Sequence, residues 1–522
     1  MAAVPSPADG RRVVLACLAV TAAAMALAAS LSVRWGAFAV GGSDSHCYAG
    51  QARMFLDGRL SLAAPLDAPV PWPNAAATFA PSGFAPGPGT DGGSVPLCPA
   101  GLALTMALAM RIAGDAALFA VVPLCGLLAI WSTWLLGRRL AGPVAGAASA
   151  LLVACSPTFL YQLMQPMSDI PAAALWTAAL AAALGPPDAG QPRIGRGLAA
   201  GLLAGAAIMM RPNLAPLAVI PAALAWPSRR AVAAVAGGIV PGIAAVALLQ
   251  AAIYGSPLRS GYGDLGQMFS LRHVAPNLVN YPFWLASAHT PVLALGLLGP
   301  FVAPRRAAAW LLLAFVAGVF AAYVPYVPFT DWWYTRFLLP ALPVLVVLTA
   351  VALERAARRL PARAAPAVFA VMVLALGGYW LERADALSVF RLRTLEQKYA
   401  ELGRFAASRL PHNAIVLAAQ PTGSVRFYAH LPTLSWDALD PTWLDRVLQA
   451  CRSRGLAPYF AVEAWEREAF RRHFRGHSPA GDLDWPPRAT IGNAIFVYDP
   501  ADRDRYMAGE RIPTEFITRG RR

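Results

Sequence analysis

The chain has 522 residues, of which 57% are hydrophobic and only 14% charged, and its mean hydropathy is +0.50. Soluble domains are roughly 45–50% apolar and about 25% charged, so a soluble globular protein is excluded and a polytopic α-helical membrane protein is expected. The net charge of +15, from 43 Lys+Arg against 28 Asp+Glu, is spread in short arginine pairs between apolar runs; that pattern sets membrane topology, and no concentrated basic patch points to nucleic acid.

The first apolar run, "RRVVLACLAVTAAAMALAASLSV", is too long for the core of a cleaved signal peptide and reads as an uncleaved first span, 11–34. Arginine pairs follow at Arg138/Arg139, Arg229/Arg230 and Arg305/Arg306, with Arg193/Arg196 and the cluster Arg355, Arg358, Arg359, Arg363. With all of them on the cytoplasmic side, residues 35–114 form a large external loop. Spans then follow at 115–136, 141–160, 171–185, 197–211, 213–226 and 231–253. An external segment, 254–288, leads to spans at 290–303, 307–325, 337–353 and 365–380. This gives about eleven spans with the C-terminus outside. The apolar stretch "PLCPAGLALTMALAMRIA", 96–113, would reverse every later loop if it crossed, so it is expected to be interfacial or re-entrant.

Residues 381–522 are charged and contain no span. A helix at 394–410, a strand "AIVLAA", a helix in "PTWLDRVLQACRSRG", a strand "APYFAV", a helix in "EREAFRRHF" and a strand "AIFVYD" predict a small extracytoplasmic α/β domain. The expected organisation is therefore a membrane domain, 1–380, and a C-terminal domain, 381–522. No G-x-G-x-x-G follows any of these strands.

On this topology polar residues gather on the external side. They are Asp44, His46 and Tyr48 in the first loop; Asp169 in the second; Arg211, which ends a span in "MMRPNL"; Arg259, Tyr262, Asp264, Arg272 and His273; and Asp331 to Arg336 in "DWWYTR". Ionisable groups at membrane depth are costly and mark function by default. Each also has an ordinary explanation. Asp44 after Gly-Gly-Ser and Asp169 before "IPAAALW" suit helix capping. Arg211 and Arg336 suit snorkelling, and Trp332, Trp333 and Tyr334 suit an aromatic belt. His46 and His273 lack the spacing of a zinc site. Two carboxylates and several arginines converging on one face suit a substrate with a lipid tail and a phosphate, because guanidinium forks bind phosphate oxygens and a carboxylate accepts a proton from an attacking nucleophile.

The order of "SDSHCYAGQARMFLDGRL", "PLCPAGLALTMAL", "MSDIPAAALW", "GLLAGAAIMMRPN" and "WWYTRFLLPALP" over residues 10–355 resembles the GT-C superfamily of integral-membrane glycosyltransferases. The likeness is to the family-39-like group, which includes protein O-mannosyltransferases and lipid-A aminoarabinose transferases. The resemblance implies transfer of a hexosyl or pentosyl unit from a polyprenyl-phosphate or -diphosphate donor to an extracytoplasmic lipid, glycan or protein acceptor, with inversion. It implies a multi-pass protein of the bacterial inner membrane, in contact with membrane lipids, with its site on the periplasmic side. By resemblance Asp44 is the candidate general base or acceptor-orienting group, and Asp169 the residue that positions the acceptor, or a divalent metal where one is used. Arg211, Arg259 and Arg336 are candidates for the leaving phosphate, with Tyr48 and Tyr262 beside them as substrate-binding candidates. The family often shows two adjacent acids in its first motif; here Asp44 is flanked by Ser43 and Ser45, which favours single-base chemistry over a metal bridge between Asp44 and Asp169. No cofactor is implied.

Cys47 and Cys98 both fall in the first loop, where an oxidising compartment permits a disulfide. Between them lies a Pro/Gly-rich stretch that reads either as flexible loop or as a partly ordered lid over the donor sugar. Two other readings compete with transfer: a transporter or flippase for lipid-linked saccharides, and a non-catalytic envelope scaffold.

Overall fold

The computed structural model describes residues 7–66, 70–88, 93–186, 193–226, 228–263 and 265–517. Asp264 and part of the expected lid, 67–69 and 89–92, lie outside the described residues. The chain divides into two compact units: residues 1–36, 119–248 and 264–392, and residues 37–118, 249–263 and 393–522.

The first unit is helical. Among the described residues of the whole chain, five helices are long and apolar enough to cross a membrane: Gly10–Trp35, Asp115–Ala141, Arg229–Tyr254, Arg306–Tyr323 and Ala365–Ala386. Counting three bent pairs as one span each raises this to eight, and four shorter apolar helices, Ala100–Ala113, Asp169–Leu184, Ile194–Met210 and Pro212–Leu224, stand beside them. The chain is a multi-pass membrane protein. Close backbone approach holds parts of the bundle together: a Cβ at Gly197, Gly201 or Gly205 would press on backbone atoms of Ala231, Val235 and Ile239 in the facing helix Arg229–Tyr254. Small residues at i, i+4 and i+8 make one such smooth face, and packing of this kind drives helix association in lipid.

One stretch differs from the sequence reading. Residues 274–289, expected within an external segment, form the helix Val274–His289, bent by 108° from the turn that follows. Its apolar signal is diluted by Pro282 and by two asparagines. Asn277 donates to the carbonyls of Val324 and Tyr326 at 3.0 and 2.6 Å, and Asn280 donates to that of Phe329 at 3.3 Å. They satisfy the backbone of a neighbouring turn, so their polarity marks packing and not solvent. The break after His289 meets a second break: Ser156, between Pro143–Cys155 and Pro157–Leu163, lies 2.8 Å from His289 Nε2 through its Oγ.

The second unit contains a hairpin, β1 (Phe84–Pro86) with β2 (Ser94–Pro96), and a six-stranded sheet. The sheet strands are β3 (Ala414–Ala418), β4 (Thr433–Ser435), β5 (Ala457–Glu463), β6 (Ala489–Ile491), β7 (Ile495–Tyr498) and β8 (Glu515–Ile517), in the order β4-β3-β5-β7-β6-β8. β3 runs parallel to both neighbours, while β7 is antiparallel to β5 and β6. Every residue of β3 is buried, as expected of a central strand covered on both faces. Ile415 and Leu417 enter one core with Phe460, Phe470 and Phe474, and Ala414, Val416 and Ala418 enter the other with Tyr399, Leu402 and Phe405. Alternation along the strand separates the two sets.

The described part of the expected lid joins the first of these cores. Leu66, Trp72 and Phe79 are 6%, 4% and 2% exposed and pack with Leu434 and Trp436. Apolar anchors spaced along a Pro/Gly-rich stretch thus hold it on the sheet. Glu466, 2% exposed, follows β5; burial first and the nearby Glu463 second push its carboxyl from the ordinary value near 4.5 up to about 7. A carboxyl whose pKa rises on folding stabilises most fully below pH 4.5, and that contribution is lost as pH climbs to about 7. Between these limits Glu466→Gln should gain roughly 1–3 kcal/mol on the native chain. Thermal unfolding at pH 5 and pH 8 checks this, since a pH-independent difference in Tm would contradict it.

Candidate functional site

In the first unit the chain places Asp169 in the opening turn of Asp169–Leu184. Its carboxylate pairs with Arg211, and the two residues are 1% and 9% exposed. Arg211 ends the helix Ile194–Met210, where Pro212 stops the α-helix and starts a 3-10 turn. Its Nη1 donates to the Tyr323 hydroxyl at 2.7 Å, and that hydroxyl donates to Asn213 at 3.5 Å. Arg336 joins the group through Phe337, whose ring centroid lies 5.7 Å from the Arg211 guanidinium and 5.0 Å from that of Arg336. Arg336 also reaches Met167 Sδ at 3.6 Å, just before Asp169. Asp169, Arg211 and Arg336 are therefore one cluster, an acid and two guanidiniums beside aromatic rings.

The other end of Asp169–Leu184 carries a different set. Arg139 donates to Ala181 O, and Arg305 donates to Leu184 O at 3.0 Å and Gly185 O at 2.9 Å. Arg196 stands against Gly185. Arginines from three expected cytoplasmic loops thus meet at the C-terminal end of a 16-residue helix; such a helix is about 24 Å long, which separates them from Asp169 at its start.

The second unit holds the remaining candidates. Asp44 lies in the first turn of Gly42–Leu56, and Gly41 is the cap residue. Asp44 is half-buried and Tyr48 is 7% exposed. Cys47 and Cys98 form a disulfide with their Cα atoms 6.0 Å apart. The segment preceding Cys98 also receives Arg259 and Tyr262: the Tyr254 hydroxyl donates to Pro96 O at 2.8 Å, and Gly261 lies against Pro96 and Leu97 so closely that a Cβ would collide. Arg259 is exposed and Tyr262 is 42% exposed. The bridge thus ties the turn bearing Arg259 and Tyr262 to the helix bearing Asp44. Closing 51 residues is worth about 4 kcal/mol in the chain-entropy model, so Cys47→Ser should lower Tm by several degrees and abolish the effect of reductant on unfolding. A variant that unfolds with oxidised wild type contradicts this.

His46 is packed into the interior of the unit. It is 2% exposed, its Nδ1 lies 2.7 Å from Ser82 O, and it packs on Phe84. Burial pulls its pKa down to about 4, so it stays neutral. Among the described residues no three His, Cys, Asp or Glu side chains come together to hold a metal ion. Sequence reasoning missed Tyr323 and Phe337, which complete the arginine cluster; the aromatic run "YVPYVPF" was the available signal.

Residues 95–254 match a family model described as dolichyl-phosphate-mannose-protein mannosyltransferase. No curated protein matches the sequence. Among solved structures the chain is similar to the ArnT of Cupriavidus metallidurans in the apo state, at 16% identity and a TM-score of 0.55, over 95% of this chain and 98% of that one. The same protein bound to undecaprenyl phosphate aligns over 87% and 94% at 16% identity and a TM-score of 0.55. The archaeal oligosaccharyltransferase AglB from Archaeoglobus fulgidus, solved with an inhibitory peptide and a dolichol-phosphate, aligns at 14% identity and a TM-score of 0.53 over 89% and 71%. The chain accordingly has the GT-C fold and is similar to the integral-membrane glycosyltransferases of that superfamily.

Proposed function

We propose that the protein is a glycosyltransferase that moves a sugar from a polyprenyl-phosphate or -diphosphate carrier to an extracytoplasmic acceptor, with inversion. The observation that carries this reading is the buried group of Asp169, Arg211 and Tyr323 with the half-buried Arg336 beside it, in a multi-pass chain of GT-C fold. A buried charge is retained only where it is paired, and Asp169 holds Arg211 in place. Two guanidiniums then face the charge that develops as a phosphate leaves, and fixed cations are the strongest lever on such a barrier. The acceptor hydroxyl or amine attacks the anomeric carbon, its proton passes to Asp44, the glycosidic carbon–oxygen bond breaks and the polyprenyl phosphate departs. Asp169 acts as counter-ion and positioning group, since its carboxylate is engaged by Arg211; Arg259 and Tyr262 contribute to substrate binding.

The extracytoplasmic assignment is supported by the arginines gathered at the far end of Asp169–Leu184, which the positive-inside rule places in the cytoplasm. The bent pair Leu271–His289 and Pro291–Val302 favours the second reading, a flippase for lipid-linked saccharides, because broken helices recur in transporters. Mass spectrometry of lipid-linked sugars and envelope glycans from cells lacking the protein tests the proposal. Accumulated lipid-linked sugar together with an acceptor short of one residue is expected; unchanged envelope glycans and lipid-linked sugars would overturn it.

A further inference from the structure

In the sheet of the second unit the chain passes from β3 outward to β4, then returns across β3 to β5 on its other side. Where successive crossovers diverge, a crevice opens at the carboxyl ends of the two strands, here β3 and β5, and open α/β sheets bind their ligands in that crevice. Gln420, Glu463 and Glu466 stand at these strand ends. Glu463 is fully buried; it pairs with Lys398, the only lysine in the chain, and accepts from the Tyr399 hydroxyl at 3.1 Å. Glu466 accepts from the backbone N–H groups of Gln420 and Glu463 at 3.3 and 3.4 Å.

The crevice is filled from within the chain. Gly41, the cap of Gly42–Leu56, sits so close to the Tyr399 ring and the Glu396 carboxylate that a Cβ there would lie under 3.0 Å from both. The Cβ position of Gly42 lies 3.5 Å from Gln420 Oε1, and Gly42 has a φ of +56°, which disfavours side chains. Neighbouring contacts fix the same turn. Val40 N–H donates to the Tyr428 hydroxyl at 2.7 Å, Gln397 donates to Ala37 O at 3.2 Å, and Ser82 N–H donates to Thr422 Oγ1 at 2.8 Å.

We propose that this switch-point crevice serves as a seat for the turn at Gly41–Gly42, and that Glu396, Tyr399, Lys398 and Glu463 are positioning residues that fix the helix carrying Asp44. The inference rests on the reading of Asp44 as the general base. It assigns the C-terminal sheet a part in catalysis: it holds a catalytic helix by its first turn.

Gly41→Ala tests the seat, because its backbone (φ −117°, ψ 152°) suits alanine and only the missing space opposes the change. Turnover of a polyprenyl-phosphate sugar should show kcat reduced ten-fold or more with KM within two-fold, and Tyr399→Ala in the same chain should restore part of kcat. In parallel, modification of Lys398 by an amine-reactive reagent, read by mass spectrometry of the intact purified protein, should accelerate several-fold in Gly41→Ala and in the shape-preserving Glu396→Gln. Wild-type labelling rates in both variants would overturn the seat. Faster labelling with unchanged kcat would overturn the positioning role. The labelling arm needs no turnover, so loss of the enzymatic reading and loss of the seat give different results.

Discussion

Asp169→Ala should abolish sugar transfer and lower the unfolding temperature in detergent, because it strands the Arg211 guanidinium, 9% exposed, without its counter-ion. Breaking a buried pair from one side costs about 3–5 kcal/mol, whereas replacing both partners by apolar groups of similar volume is often neutral. The double variant Asp169→Leu/Arg211→Met should therefore recover most of the lost stability and none of the turnover. That pattern separates a functional arginine from a structural pair. A double variant with both stability and activity would show that the guanidinium has no part in the reaction, and an Asp169→Ala variant as stable as wild type would show that Arg211 finds another partner. Tyr323→Phe removes the 2.7 Å hydrogen bond from Arg211 and the longer one to Asn213, and its smaller loss, about 1–3 kcal/mol, provides the scale for the larger one.

The second large effect is expected at Asp44. Asp44→Asn should cut turnover by about 10²–10⁴, the range that a positioned general base contributes, while the protein unfolds near the wild-type temperature. The cap position belongs to Gly41, so Asp44 stands inside the first turn, where a carboxylate gains about 0.3–1 kcal/mol from the helix dipole. Circular dichroism and donor turnover on the same preparation give both numbers. Near-normal turnover in Asp44→Asn would remove the residue from the mechanism, and a collapse of the fold would make it structural.

Much of the first unit was legible because lipid forces long apolar runs and places arginines at their ends. Helices cover the apolar segments read at 11–34, 115–136, 231–253, 307–325 and 365–380. The span count was harder: Asp169–Leu184 and Ile194–Met210 are short, and the span read as continuous at 141–160 is broken between Pro143–Cys155 and Pro157–Leu163. Val274–His289 escaped because Asn277 and Asn280 look like surface polarity in a sequence, yet they satisfy the backbone carbonyls of a neighbouring turn.

In the candidate site the sequence showed which residues carry charge, and the fold showed which of them meet. Asp169 and Arg211 stand 42 positions apart, and no periodicity links them. Asp44 and Asp169 look alike as acids at helix starts, but one pairs with an arginine and the other enters a turn seated on a sheet strand end. Three strands of that sheet, β3, β5 and β7, were readable as short apolar runs, whereas β4, β6 and β8, three residues each, were not. The attachment of Gly41 to Tyr399 was not, because a glycine fitting under a ring leaves no pattern in a sequence.

The central claim is sugar transfer from a lipid-linked donor. Its most direct test supplies purified protein in liposomes with a polyprenyl-phosphate sugar labelled in the glycan and follows the label and its anomeric configuration. The account predicts release of the sugar from its carrier to acceptor with inversion in wild type, and an intact donor with Asp44→Asn. An intact donor that crosses the bilayer in both would contradict the account and identify a flippase.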